Sequence, residues 1–346
     1  MTWRAAMQQA LYGSAGFFTA GTGPAAHFRT SAHVGHVFAT AVVRLIHDLD
    51  AALGRPPRLD VVDVGAGRGE LLTSVRDVMA EDVDSGLIRR VAFTAVELAP
   101  RPPDFDPTIA WQATPPNDIV GLALANEWLD NVPLDVVEVA ADGVRIVEVD
   151  ESTGDERLGP PADEKVSHWL TQWWPTSGAT VGDRAECGFA RDVAWADLTA
   201  HLDRGLTLAI DYGHTRSQRV GGAHVGGTLA AYRGGHPVRP VPDGSCDLTA
   251  HVAMDACAAA GISAGATVTV LATQREALHS LGVSGQRPPL GLADEAPAAY
   301  LAALAAASDA GELLDPAGLG SFLWLAQAKG AAMPEPLVSL GGTVAG

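Results

Sequence analysis

Positive charge is what this sequence has least of. Of 346 residues, 23 are Lys or Arg against 41 Asp or Glu, a formal net charge of −18, and Lys165 and Lys329 are the only lysines. A protein that grips nucleic acid needs a cationic stripe to displace counterions from phosphates, so no nucleic-acid partner is expected. Cysteine is scarce too. Cys187, Cys246 and Cys257 are odd in number and form no CxxC pair, which argues against a disulfide framework and against a zinc site. No metal and a reducing cytoplasm are the corresponding expectations. Two stretches without Asp, Glu, Lys or Arg, 5–28 and 256–274, have the length of a bilayer span. Gly13, Gly16, Gly21, Gly23 and Pro24 break the first, and Gly261, Ser263, Gly265, Thr267 and Thr269 punctuate the second, so no membrane span is expected. The opening Met-Thr-Trp-Arg lacks the basic and apolar regions of a secretory signal. No repeat of 20 to 50 residues appears, which removes solenoids and propellers.

What is present is a large apolar fraction, 47%, enough for one elaborated domain or two smaller ones. Arginine in place of lysine, with abundant Ala and Gly, suggests a GC-rich bacterial genome. Strand and helix signals alternate. Val34, Val37, Phe38, Val42, Leu45, Ile46, Leu49 and Leu53 recur at helical spacing, and Gly54, Pro56 and Pro57 stop that helix. Short apolar runs at 59–64, 91–96, 119–125, 206–210 and 266–272 predict buried strands. The helical sequence between them implies βαβ units and a mostly parallel sheet. Period-two patterning over 134–149 around Asp142-Gly143 predicts an inserted hairpin. Two helical runs follow within 163–203, one carrying Trp169, Trp173 and Trp174 as core packing or a contact with a second copy of the chain. Residues 213–246 are rich in Gly, Pro, His and Arg and are expected to form a long irregular loop. Asp247 is expected to cap a helix over 248–260, and Pro297 to open another that runs to about Ala307.

The chemistry concentrates at strand ends. After Val61-Val62-Asp63-Val64 comes Gly65-Ala66-Gly67-Arg68-Gly69-Glu70. Glycines there let the backbone turn sharply against a ligand, and the next helix offers unpaired N–H groups. A dinucleotide turn of the form GxGxxG would need glycine at position 70, where Glu70 stands. The GxGxG spacing is similar to motif I of S-adenosylmethionine-dependent methyltransferases. Glu97 ends the next strand, placed to accept hydrogen bonds from ribose hydroxyls, although such an acid can equally be solvated surface. The third run is Asn126-Glu127-Trp128-Leu129-Asp130-Asn131-Val132-Pro133.

That third run resembles the Asn-Glu-x-x-Asp-x-x-Pro motif of MidA-type S-adenosylmethionine-dependent methyltransferases, whose mitochondrial relatives are protein arginine methyltransferases assisting complex I assembly. Further segments are similar to the family's motifs: 11–18 (LYGSAGFF), Phe28-Arg29-Thr30-Ser31 with Phe38, Asp211-Tyr212-Gly213-His214, 227–233 (GTLAAYR), Asp247-Leu248-Thr249-Ala250-His251-Val252, and Pro316 with Leu319, Gly320 and Phe322. The resemblance spans residues 8 to 328. It departs from the family at His27 and His33, where acids are usual, and at Ala230, where arginine is expected, and these changes bear on the acceptor more than on the cofactor.

The resemblance implies an α/β, class I methyltransferase-like fold, Rossmann-like with helices on both faces of the sheet. The expected organisation is an N-terminal helical segment 1–54, a core in two parts 55–133 and 204–330, an insertion 134–203 and a flexible tail 331–346. It implies S-adenosylmethionine as cofactor, met by Asp63, Gly65, Ala66, Gly67, Glu97, Leu98, Asn126 and Thr30. Glu127 and Asp130, three residues apart, are the candidates for holding the acceptor or removing its proton; the competing reading makes Asp130 a helix cap and Glu127 a rim residue. Asp211, Tyr212, Tyr232 and Arg233 are candidate acceptor contacts. His214, His236 and His251 lie in or beside the long loop, where a lone histidine is more often structural. The acceptor is a protein nitrogen, arginine-like, or a small molecule; a non-catalytic assembly factor that keeps the fold is the alternative, and a nicotinamide-dependent oxidoreductase a remoter one. A homodimer is left open.

Overall fold

The computed structural model describes residues 1–20, 35–81, 86–176 and 178–340. Thr30, His27 and His33 therefore lie outside the described residues. Seven strands form the central sheet: β1 (Leu59–Val64), β2 (Val91–Val96), β3 (Ala110–Gln112), β4 (Ile119–Asn126), β5 (Leu202–Asp211), β6 (Val268–Thr273) and β7 (Leu323–Lys329). Their order across the sheet is β3-β2-β1-β4-β5-β7-β6. All pairings are parallel except those of β7, which runs antiparallel to both β5 and β6. β1 is buried at every position, as expected for a strand covered on both faces. The order reverses between β1 and β4. At such a switch point the crevice beyond the carboxyl ends of the strands is left open for a ligand.

The main helices are α1 (Trp3–Tyr12), α2 (His36–Ala52), α3 (Glu70–Glu81), α4 (Glu164–Trp173), α5 (Phe189–His201), α6 (Met254–Ser263), α7 (Gln274–Ser280) and α8 (Pro297–Leu313). On one face α2 and α3 bury Phe38, Val42, Leu45, Ile46, Leu49, Leu72 and Val75 against Val61, Leu122, Leu124, Leu206 and Leu208. On the other, Trp195 and Leu198 of α5 and Cys257 and Ala258 of α6 pack on Val62, Ala123, Ala209 and Leu325. Two smaller cores lie beyond the sheet's carboxyl edge. A four-stranded antiparallel sheet (strands 156–161, 143–149, 135–140 and 184–187) and a three-stranded one (236–238, 230–233 and 247–249) enclose Trp3, Met7 and Leu11 of α1. Trp169 and Trp174 are buried with Val137 and Ala185, and Trp173 packs half-buried against them, so the stripe serves packing.

Several expectations need correction. Asp247 caps no helix: Asp247–Thr249 is a strand paired with Ala230–Tyr232, and the helix starts later, at Met254. Ladder pairing satisfies the backbone that a helix would otherwise have claimed. The stretch 213–246 is not irregular throughout, since it holds a helix at Arg216–Val220 and strands at Ala230–Arg233 and His236–Val238. Arg184–Cys187 is a strand, and the second of the helical runs expected within 163–203 begins only at Phe189. α8 runs on to Leu313. The segment expected to be a flexible tail carries a short helix, Glu335–Val338, and buries Met333 and Leu337 in the main core.

Candidate active site

A cleft of about 620 Å³ opens at the carboxyl edge of the sheet, over the switch point. Its first half is built from β1, β2 and the turn into α3. Gly65 follows β1 at φ +74°, and a side chain there would put Cβ 2.7 Å from Cδ1 of Trp128. Gly69, at φ +82°, would set Cβ 2.1 Å from the Phe105 ring. Glycine is thus required twice, by conformation and by space. Gly67 N–H donates to Oε2 of Glu97 at 3.0 Å, while Oε1 of Glu97 accepts from the N–H groups of Leu98 at 2.6 Å and Ala99 at 3.0 Å. The carboxylate is fixed by backbone donors at the end of β2, yet a carboxylate has about four lone-pair positions, so acceptor capacity remains for hydroxyls. Asp63, one residue from the end of β1, is buried. Burial, then the charges of Glu97 and Glu70, pushes its carboxyl up to about 8.

The second half is assembled from distant segments. β4 ends at Asn126, and Glu127 turns the chain at φ +52°. A non-glycine residue held there costs about 1–3 kcal/mol, which the surroundings must impose. Glu127 N–H donates to Ile210 O at 2.8 Å, which ties the turn to β5. Asp130 is buried. Its Oδ2 accepts from Thr249 Oγ1 at 2.7 Å and, in a short contact, from the Tyr212 hydroxyl, which also touches Thr249 Oγ1. Asp211 lies beneath, accepting from the N–H of Asp130 at 3.1 Å and of Tyr212 at 3.0 Å. Asn131 donates to Asp247 at 2.9 Å, and Tyr12 donates to Asn131 O at 3.3 Å. Burial raises Asp130 and Asp211 above the ordinary carboxylate range and pushes Asp247 up to about 8.

The cation beneath these acids is Arg191 of α5, 1% exposed. Its Nε donates to Val132 O at 3.1 Å, its Nη1 to Ala250 O at 2.8 Å and His251 O at 2.9 Å, and its Nη2 to Asp130 O. One guanidinium thereby holds the 127–133 turn against the 249–252 segment.

Among the candidate residues, Asp63, Gly65, Ala66, Gly67, Glu97, Leu98, Asn126, Glu127, Asp130, Tyr212 and Tyr232 all line the cleft. Asp211 supports its floor without lining it. Arg233 is not brought in: it is exposed and donates from Nε to Ser245 O at 3.0 Å. Asp130 is the middle residue of a short 3-10 turn at 129–131, and its Oδ2 bonds Tyr212 and Thr249 rather than capping that turn. Residues not assigned from the sequence also line the cleft, among them Tyr12, Trp128, Asp247, Thr249 and His251. The alternation Asp247, Thr249, His251 was the available signal, because alternate residues of an extended segment share a face. Nothing in the sequence marked Arg191.

A sulfonium cofactor fits this chemistry. The glycine turn presents backbone to a small ligand, Glu97 suits vicinal hydroxyls, and Asp63 suits a cation. Asn126 Oδ1 is buried with no hydrogen-bond partner among the described residues. Such an atom calls for a donor, since an unmet buried acceptor costs about 1–3 kcal/mol.

Sheet order, antiparallel seventh strand and cleft position define a class I methyltransferase fold. The sequence model of a family described as "Putative S-adenosyl-L-methionine-dependent methyltransferase" matches residues 41–272. The chain belongs to that family, whose cofactor is S-adenosylmethionine. Among solved structures, a COG1565 superfamily member from Burkholderia thailandensis, bound to S-adenosylhomocysteine, is similar with TM-score 0.80 and 23% identity over 99% of this chain and 91% of that one. A native structure of a protein of the same superfamily and organism gives TM-score 0.74 at 22% identity, covering 99% and 90%. No curated protein matches the chain.

Proposed function

We propose that the protein transfers a methyl group to a cationic nitrogen acceptor, an arginine-like protein side chain, in the manner of the MidA-type enzymes. The observation that carries this reading is the surplus of buried acid in one cleft. Asp63, Asp130 and Asp247 line it and Asp211 supports it, each raised by burial, while the buried guanidinium of Arg191 is spent on four backbone carbonyls. Acids placed this way become favourable when cations arrive, one at the Asp63 end and one at the Asp130 end. In this reading the first is the cofactor end, next to the glycine turn; that a similar Burkholderia structure is bound to S-adenosylhomocysteine supports an adenosyl ligand.

When bound, S-adenosylmethionine supplies an electrophilic methyl group on a sulfonium. Such a donor is already activated, so placement of the acceptor is the protein's main task. In this reading Glu127 and Asp130 hold the acceptor's N–H groups, and Tyr212 and Thr249 fix the Asp130 carboxyl. The experiment is methyl-labelled cofactor with purified full-length protein and a lysate from cells lacking it. Label in protein arginine supports the proposal. Label in small molecules moves the acceptor class, and cofactor binding without transfer leaves a non-catalytic assembly factor. Asp130→Asn should abolish transfer at unchanged S-adenosylhomocysteine affinity.

A further inference from the structure

Four buried side-chain polar atoms have no hydrogen-bond partner among the described residues: Asn126 Oδ1, Asp130 Oδ1, His214 Nε2 and His251 Nδ1. The first two belong to the acids and amide of the cleft. The other two belong to a group of three imidazoles behind it, which the mechanism above does not use. His251 lines the cleft, with its ring edge-on to Tyr212 at 5.3 Å between centroids. His224 lies 5.3 Å from His251 and 4.9 Å from His214, and His214 lies 6.2 Å from His251. His224 reaches this position from a left-handed backbone, φ +64°, and is half-buried, so the group runs from the cleft toward solvent.

The three rings are not equivalent. Arg219, paired with Asp255 at 2.8 Å, donates from Nη1 to Nδ1 of His214 at 2.7 Å. That bond leaves the proton of neutral His214 on Nε2 and fixes the ring as a donor. The charged and titratable groups facing the set are Arg219 and Asp255 beside His214, Arg191 and Tyr212 beside His251, and Asp130 across Tyr212. Burial first, then Arg219 and the other histidines, lowers His214 to about 2; burial, His224 and Arg191 lower His251 to about 4; His224 is lowered by burial and Arg219. All three are neutral at pH 7, and the lone pair of His214 is taken by Arg219, which leaves those of His251 and His224 for a proton.

We propose that His251 accepts the proton leaving the acceptor nitrogen and that His224 passes it to solvent, with His214 locked as the ring that steadies both. The inference rests on methyl transfer to nitrogen as proposed above. In that step the acceptor nitrogen forms its bond to the methyl carbon while the carbon–sulfur bond breaks and leaves its electron pair on sulfur. The N–H proton moves to the His251 ring, then to His224, then to water. Asp130 is less suited to this export, because its Oδ2 is already taken by the Tyr212 and Thr249 hydroxyls and its backbone is tied to Asp211 beneath, whereas the imidazoles lead outward.

The test uses the full-length protein. His251→Gln should lower label transfer into lysate protein at least tenfold with S-adenosylhomocysteine affinity within twofold of the parent, and added imidazole should restore part of the rate. His224→Gln should give a smaller loss and shift the rate's pH profile. Parent-like transfer by His251→Gln, or a loss that only tracks cofactor affinity, overturns the relay. If the parent protein transfers no label, the methyl-transfer reading fails instead, and histidine-ring NMR judges the relay. A His251 midpoint that rises in His224→Gln supports the coupled pair, and an unmoved midpoint overturns it.

Discussion

In the proposed reading the cofactor half of the cleft comes from residues 63–70 and 97–98, neighbours along the chain or across the β1–β2 pair. The acceptor half comes from residue 12, 126–131, 212, 232 and 247–251, joined by a buried arginine from yet another segment. The first half holds its shape by backbone, through a glycine turn whose Gly67 N–H joins those of Leu98 and Ala99 in fixing Glu97. The second holds its shape by side chains and by buried charge. A local turn is stabilised by few bonds and tolerates no added side chain, whereas a distributed network depends on its one shared cation.

Glycine replacement should break the first half most completely. Gly69→Val, with Cβ 2.1 Å from the Phe105 ring at φ +82°, should cost about 3 kcal/mol or more in the turn and remove S-adenosylhomocysteine binding in calorimetry. The corresponding blow to the second half is Arg191→Met. It leaves the carbonyls of Val132, Ala250 and His251 without this donor, while Asp130 O keeps the Ala250 N–H, and should lower stability by about 3 kcal/mol in denaturant unfolding, with cofactor affinity at the stability-corrected level unchanged. Loss of cofactor binding in folded Arg191→Met protein would show that the halves are coupled.

Two gentler changes sharpen the contrast. Glu97→Gln removes a charged acceptor but keeps the shape, and should weaken S-adenosylhomocysteine by about ten- to a hundredfold. Asp63 and Asp247 hold their protons more tightly when folded than an ordinary aspartate at 3.8, each up to about 8. Their contribution to stability is therefore complete below pH 3.8 and is lost as pH rises through about 8. Asp247→Asn should flatten the fall in Tm across that window. A cationic ligand beside Asp63 reverses its protonation, so calorimetry near pH 7 in buffers of different ionisation enthalpy should register proton release on cofactor binding.

The same contrast explains what the sequence disclosed. Gly65, Gly67, Gly69 and Glu97 stand at the ends of two strong apolar runs, and the sheet follows from the alternation of such runs with amphipathic helices. Asn126, Glu127 and Asp130 were found for the same reason, at the end of β4. Asp247 was misread because one strand of three residues is too short to show its period, and because its pairing partner at 230–232 lay inside a stretch expected to be irregular. Arg233 shares that strand with Tyr232 but is exposed at its end. Arg191 sits among ordinary surface-like helix residues, and only tertiary packing makes it the buried cation beneath the site.

The central claim is that the glycine-turn half of this cleft binds an adenosyl sulfonium and not a dinucleotide. Titration calorimetry of the full chain with S-adenosylhomocysteine and, separately, with NAD tests it most directly. Saturable one-to-one binding of S-adenosylhomocysteine that Glu97→Gln weakens is expected, with no heat from NAD. Binding of NAD with no heat from S-adenosylhomocysteine would contradict it.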